Sequence, residues 1–335
     1  MLFNHNGEQY VDDRYSRVFG DIFVNHDICL LGVDQLLDNA TITKHLDLYQ
    51  FDFIFVVSDH VFTVGDWIQN YLSPELKTTV ILFPTVDADS CIFPYWLMNY
   101  DAPVYYAPVY QYRAVKNNNN KKTYTYSCLN RAPNPHKIAN LIKVHQSNYW
   151  NQTLVTYHGT DFRTGPDSHN QLNTFTPGGL EYFNQHIKKL LPIHSLEDYN
   201  NNPMDCNNPA YLDSYINIVV EHTIDAAFIT EKTVKCLYAE QFFVIWGGSG
   251  SVRVLEENGI DTYRDIIDHG RYDNIENQKD RLDALHLLLN ELSFLDWETI
   301  YNSTQARRQK NRLFLESGQI RSRFQDNLHK LLNKY

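Results

Sequence analysis

Short apolar runs bounded by polar turns alternate along the chain with stretches whose apolar residues recur every three or four positions. Phe51–Ser58 (FDFIFVVS) is rich in β-branched and aromatic residues and predicts a strand buried on both faces. Val33–Leu48 before it places Leu36, Leu37, Ile42 and Leu46 at helical spacing. Val61–Leu72 predicts the next helix, ended by Ser73-Pro74, and Thr79–Phe83 predicts a second buried strand. The alternation returns later, with strands at Tyr124–Leu129, Thr153–Tyr157, Ile216–Val220 and Phe242–Trp246. Helices are predicted at Pro135–Val144, Gly179–Leu191, Glu231–Glu240 and Ser251–Asn258, the last closed by Gly259. Thr230 stands where a helix N-cap belongs. Arg281–Leu292 and Trp297–Leu332 read as mostly helical.

One stretch interrupts this pattern. Lys116–Lys122 (KNNNNKK) has no apolar residue and reads as an exposed linker. A second polar stretch, Tyr199–Pro209, reads as a long loop. The class expected is α/β, with two Rossmann-like βα domains facing a cleft and a helical C-terminal tail. The boundaries expected are residues 1–116 for the first domain, 117–122 for the linker and 123–300 for the second domain. The tail, 301–335, is expected to pack back on the first domain.

Composition narrows the function. The 335 residues suit two domains, and 43% hydrophobic content is enough for two cores. Lys plus Arg total 29 against 40 Asp plus Glu, a net charge of −11, which argues against a nucleic-acid partner. Apolar runs fall well short of the ~20 residues of a membrane helix, and no basic-then-apolar leader opens the chain. Five scattered cysteines (Cys29, Cys91, Cys128, Cys206, Cys236) show no zinc spacing and read as reduced thiols, so a cytoplasmic location is expected.

Candidate chemistry concentrates in Tyr215–Gly250. A buried strand ends at Glu221, putting a carboxylate at the carboxyl edge of the sheet, where open α/β sheets bind ligands. Thr230-Glu231-Lys232 then opens a helix, whose N-terminus favours an anion. Lys232 opposes the helix dipole there, and a phosphate would account for it. Glu231 would repel a phosphate and suits neutral hydroxyls such as those of a ribose. Together they describe a nucleotide-sugar site. The plain alternative is an ordinary helix start, with Glu231 paired to Lys235 one turn on.

Two neighbouring segments add candidates. Ser127–Ile142 carries Arg131 and Lys137 at another strand-to-helix turn, either of which could reach a diphosphate or simply be solvated. Gly247-Gly248-Ser249-Gly250 could let backbone approach a diphosphate, with Gly248 the candidate contact, or be a plain turn. It is not the GxGxxG fingerprint, and no acidic residue follows ~20 positions on, which disfavours a Rossmann-type oxidoreductase.

The run EHTIDAAFITEKTVKCLYA resembles the donor-site motif of family 10 α1,3-fucosyltransferases, and FFVIWGG is similar to the strand that follows it in that family. The resemblance covers Tyr215–Gly248, extends loosely to Ser127–Ile142, and departs at His222, where relatives have Asn. It implies an inverting glycosyltransferase of the GT-B type. Its donor, a nucleotide-diphosphate sugar, would bind in the second domain and a glycan or glycoconjugate acceptor in the first. It further implies that Glu231 and Lys232 contact ribose and diphosphate, with Glu221 and His222 near the donor.

Inverting transfer needs a general base. Asp59 and Asp87, then Asp89, follow first-domain strands and are the candidates, although each also suits a cap or turn. Tyrosines and Trp96 crowd Tyr95–Tyr112, suiting either sugar stacking or a core boundary. Asp87-Ala88-Asp89 has the form of a Mn²⁺ site, yet helix dipole, Lys and Arg serve the diphosphate here, so no metal or other cofactor is expected. The basic amphipathic tail suits packing across the domains or contact with a membrane surface. A carbohydrate-binding protein without catalysis is the remaining alternative.

Overall fold

A computed structural model describes residues 2–3, 28–32, 53–57, 79–83, 90–91, 96–97, 109–110, 121–130, 134–157, 166–191, 193, 209–221, 224, 227, 229–317 and 319. The chain divides into two compact units, Met1–Gln111 with Ser317–Tyr335, and Tyr112–Glu316.

In the first unit, β1 (Leu2–Phe3), β2 (Ile28–Gly32), β3 (Phe53–Val57) and β4 (Thr79–Phe83) run parallel in that order. β6 (Trp96–Leu97) closes the edge antiparallel to β4, while β5 (Ser90–Cys91) and β7 (Val109–Tyr110) form a separate antiparallel pair. The strands expected at 51–58 and 79–83 are present. The expected helices at 33–48 and 61–72, and Asp59, Asp87 and Asp89, lie outside the described residues.

The second unit is built on a four-stranded parallel sheet ordered β11-β10-β8-β9, from β8 (Tyr124–Asn130), β9 (Thr153–Tyr157), β10 (Ser214–Val220) and β11 (Phe242–Trp246). β9, β10 and β11 are buried along their whole lengths, as their unbroken apolar and β-branched sequences require. The helices, in chain order, are α1 (Pro135–Gln146), α2 (Pro166–Phe175), α3 (Gly179–Tyr182), α4 (Pro209–Leu212), α5 (Glu231–Tyr238), α6 (Ser251–Glu257), α7 (Gly270–Asp273), α8 (Gln278–Leu292), α9 (Trp297–Ser303) and α10 (Gln305–Glu316). The class is α/β, with a mostly parallel sheet in the first unit and a parallel sheet in the second. Among the described residues no helix is long and apolar enough to cross a membrane.

Three expectations need correction. The helix expected at 179–191 is broken: α3 passes into a π turn at Phe183–Ile187 and a 3₁₀ turn at Lys188–Leu190. The long terminal helix breaks at Thr304, whose hydroxyl donates back to the Ile300 carbonyl at 2.8 Å. α10 then packs on the second unit. Its Arg307 reaches Asp261 and Asp265, Arg308 donates to the Glu240 carbonyl at 2.8 Å, and Asn311 bridges Asp261 and Tyr263. Finally, Lys122 does not belong to an exposed linker. It is buried, donates to the Leu212 carbonyl at 2.6 Å and lies over the Tyr301 ring, and desolvation lowers its pKa to about 8.

Candidate functional site

β8, β10 and β11 end side by side, so residues just past them share one edge of the sheet. Glu221 continues β10 by one more bond, its N–H donating to the Trp246 carbonyl at 3.1 Å. Its carboxylate is wholly buried and faces the start of α5. Oε1 accepts from the Thr230 backbone N–H at 3.1 Å and from the Thr233 hydroxyl at 2.7 Å, and Oε2 accepts from the Thr230 hydroxyl. Burial pushes the Glu221 carboxyl above the usual carboxylate range, against the pull of Lys232 and the Thr230 and Thr233 hydrogen bonds.

Thr230 caps α5 as its sequence position suggested. Its Oγ1 accepts from the Lys232 backbone N–H at 3.4 Å and from the Lys232 ammonium at 2.9 Å. That ammonium also lies 3.9 Å from Glu221 Oε2, with the side chain about a quarter exposed. Lys232 therefore has a structural reason to sit against the helix dipole, which its position in the sequence did not supply: it neutralises a buried carboxylate. Glu221, Thr230 and Lys232 are brought together. Glu231 is placed as the first residue of α5, and its side chain lies outside the described residues, as do Arg131 and His222.

The other elements bring residues that pattern reasoning missed. His136, in the first turn of α1, donates from Nε2 to the Glu221 carbonyl at 3.2 Å and sets its ring edge-on to Trp246. Pro135 at the helix start puts it there. Lys137, next along, is buried. Arg281 of α8 reaches the loop between β10 and α5, donating to the Ile224 carbonyl at 2.8 Å and to the Ile275 carbonyl at 2.5 Å. Thr233, three residues after the cap and so on the same helix face, was the only one with a local signal.

The glycine turn after β11 is tightly packed. A Cβ at Gly247 would stand 2.8 Å from Ser251 Oγ and 3.5 Å from Glu221 Cγ, so a larger residue would crowd the Ser251 hydroxyl, while the approach to Glu221 is an ordinary contact. The Gly248 carbonyl accepts from the Ser251 hydroxyl at 2.8 Å. The first turn of α6, which the turn would offer to a phosphate, already holds a carboxylate. Asp273 accepts from the N–H groups of Val252 at 3.0 Å and Arg253 at 3.2 Å. Gly248 thus bounds the site, but the amides beside it are engaged within the protein. Among the described residues no group of three or more His, Cys, Asp or Glu could hold a metal ion.

No family model matches the sequence, and no curated protein sequence matches it. Solved structures with similar folds include the spinosyn rhamnosyltransferase SpnG, 10% identical with a TM-score of 0.35 over 90% of this chain and 72% of that one. A UDP-forming α,α-trehalose-phosphate synthase from Burkholderia vietnamiensis is 11% identical with a TM-score of 0.39, covering 99% of this chain and 82% of that one. An α1,3-fucosyltransferase is 13% identical with a TM-score of 0.24, covering 61% of this chain and 48% of that one. At such scores the chemistry has to come from the site's own residues.

Proposed function

We infer that the protein is a glycosyltransferase of the GT-B type, drawing a sugar from a nucleotide-diphosphate donor bound at the carboxyl edge of the second unit's sheet. One observation carries this reading: the Lys232 ammonium is held at the mouth of α5 by Thr230, with Glu221 buried behind it. A cation and a helix N-terminus aimed at one point bind a diphosphate and stabilise it as it leaves. The motif resemblance over Tyr215–Gly248 supports the same chemistry and suggests a GDP-fucose-like donor transferred with inversion. Glu231 serves the ribose hydroxyls and Arg131 or Lys137 assists at the diphosphate. His222 tunes the sugar contacts. Charge on the leaving group is met by protein groups, without a resident metal.

The acceptor, a glycan or glycoconjugate, belongs to the first unit. Its base is assigned to Asp59 or Asp87, which follow β3 by two residues and β4 by four. Thermal unfolding with GDP-, UDP- and dTDP-sugars tests the reading. The matching donor should stabilise the protein by about 2.7 kcal/mol at 100 times its dissociation constant, and the gain should vanish in Lys232→Ala. No response to any activated sugar would sink the proposal. Donor binding with neither transfer nor hydrolysis would leave a binding protein.

A further inference from the structure

Two buried polar atoms at the same sheet edge meet no hydrogen-bond partner among the described residues: Oδ1 of Asn130 and Nε1 of Trp246. Asn130 ends β8 and Trp246 ends β11, with β10 between them. The register sets Val220 beside Trp246 and Asn217 beside Ser127, and Val220 and Asn130 each lie three residues beyond that second pair, so alternation along the strands puts Asn130, Val220 and Trp246 on one face. Residues in one cross-strand row point to one face, so both side chains lie on the same side of the sheet. It is the α1 side, because Asn140 of α1 reaches Cys128, two residues before Asn130. Glu221, one residue beyond that row, faces the opposite side and α5.

A chain of hydrogen bonds runs from Tyr149 to the Asn130 amide. The Tyr149 hydroxyl meets Nδ1 of His286 at 2.5 Å, and Nε2 of His286 meets Oδ1 of Asn140 at 3.1 Å. An amide oxygen only accepts, so Nε2 carries the imidazole proton and Nδ1 accepts from Tyr149. The Asn140 amide nitrogen is then directed at the Cys128 sulfur, at 3.2 Å, and the Asn130 amide nitrogen donates to the same sulfur at 3.2 Å. Cys128 lies back along β8.

Buried acceptors and donors are nearly always satisfied, so an acceptor and a donor left open on one face of a ligand-binding edge point to a bound group. We propose that Asn130 Oδ1 and Trp246 Nε1 bind a neutral part of the nucleotide sugar, its base or a sugar hydroxyl, on the α1 side of β10. The diphosphate lies at Lys232 on the α5 side, so this inference rests on the donor reading above. A neutral acceptor and a neutral donor complement an uncharged ligand group, and a desolvated hydrogen-bonding site rejects analogues that lack the matching group.

Calorimetric titration of the whole protein with inorganic pyrophosphate, GDP, UDP, dTDP and the corresponding sugar nucleotides tests it. Asn130→Ala and Trp246→Phe should each weaken the preferred ligand about tenfold and leave pyrophosphate binding unchanged, the size expected for one hydrogen bond. Lys232→Ala should weaken both classes. A loss already present with the nucleoside diphosphate identifies the base; a loss only with the sugar attached identifies a sugar hydroxyl. Wild-type affinity in Asn130→Ala overturns the proposal, as does a fall in all ligands parallel to a fall in thermal stability, the mark of a purely structural role. If the wild type binds no nucleotide, the donor reading fails and this inference fails with it.

Discussion

The Thr233 hydroxyl donates to Glu221 Oε1 at 2.7 Å, fastening the second turn-facing residue of α5 to the end of β10. With the two bonds from Thr230, nine residues after Glu221, the carboxylate closes the intervening loop and sets the helix mouth. Removing it strands two buried hydroxyls and frees Lys232. Glu221→Ala should lose on the order of 2–4 kcal/mol of stability, and Thr233→Val about 1 kcal/mol, by urea unfolding. Glu221→Ala should also weaken donor binding although its carboxylate is shielded from any ligand.

Lys232 has the opposite profile. Its ion pair with Glu221 is long, at 3.9 Å, and its side chain is partly exposed. Lys232→Ala should shift the thermal midpoint by a few degrees, because the buried Glu221 carboxylate loses its counter-charge but keeps its hydrogen bonds from Thr230 and Thr233. Donor affinity should fall about 10- to 100-fold, since a charge-assisted bond to phosphate is lost. Calorimetry and thermal unfolding on the same samples separate the two effects.

His286 and His269 are buried, and desolvation lowers their pKa to about 3 and about 4. An unfolded histidine titrates near ~6.5. As pH falls below that value the unfolded chain takes up protons that the folded one refuses. Stability is therefore lost on acidification through this window, each residue adding a slope of about 1.4 kcal/mol per pH unit. His286→Leu should be less stable at pH 7, because Tyr149 and Asn140 lose their partner, yet its stability should fall less steeply between pH 6 and pH 4. Unfolding curves at stepped pH check the sign.

Gly247→Ala forces a methyl to within 2.8 Å of Ser251 Oγ, which is already bonded to the Gly248 carbonyl. It should destabilise by about 1–3 kcal/mol through overpacking. Gly178→Ala is the control. There nothing lies within 4 Å, and only the left-handed backbone, φ +71°, opposes the side chain, at about 1–2 kcal/mol. Paired thermal melts distinguish crowding from backbone strain.

What could be read from the sequence was what is encoded locally. The strands at 79–83, 153–157 and 242–246 were legible to the residue because apolar runs end sharply at polar or glycine neighbours. Thr230 as a cap, and the meeting of Glu221 and Lys232 at the sheet edge, were legible because all lie within one strand–loop–helix unit. Burial of Lys122 was not. A lysine ending an Asn-rich run looks solvated, yet Leu212 and Tyr301, far along the chain, give its ammonium a place. The break at Thr304 was hidden because no glycine or proline marks it. His136, Arg281 and Asp273 escaped for the same reason as Lys122: each reaches the edge from an element whose sequence carries no sign of where it docks.

Asp273 has a consequence for redesign. The short helix after the glycine turn has its leading amides plugged by this side chain, and the Gly250 N–H is tied to its backbone carbonyl at 2.7 Å. Introducing the glycines of a dinucleotide fingerprint here would not by itself create a dinucleotide enzyme, because the resident carboxylate would repel the incoming pyrophosphate. Evicting it would loosen the turn that backs Glu221. Nicotinamide specificity and an intact α5 mouth are thus competing outcomes for this scaffold.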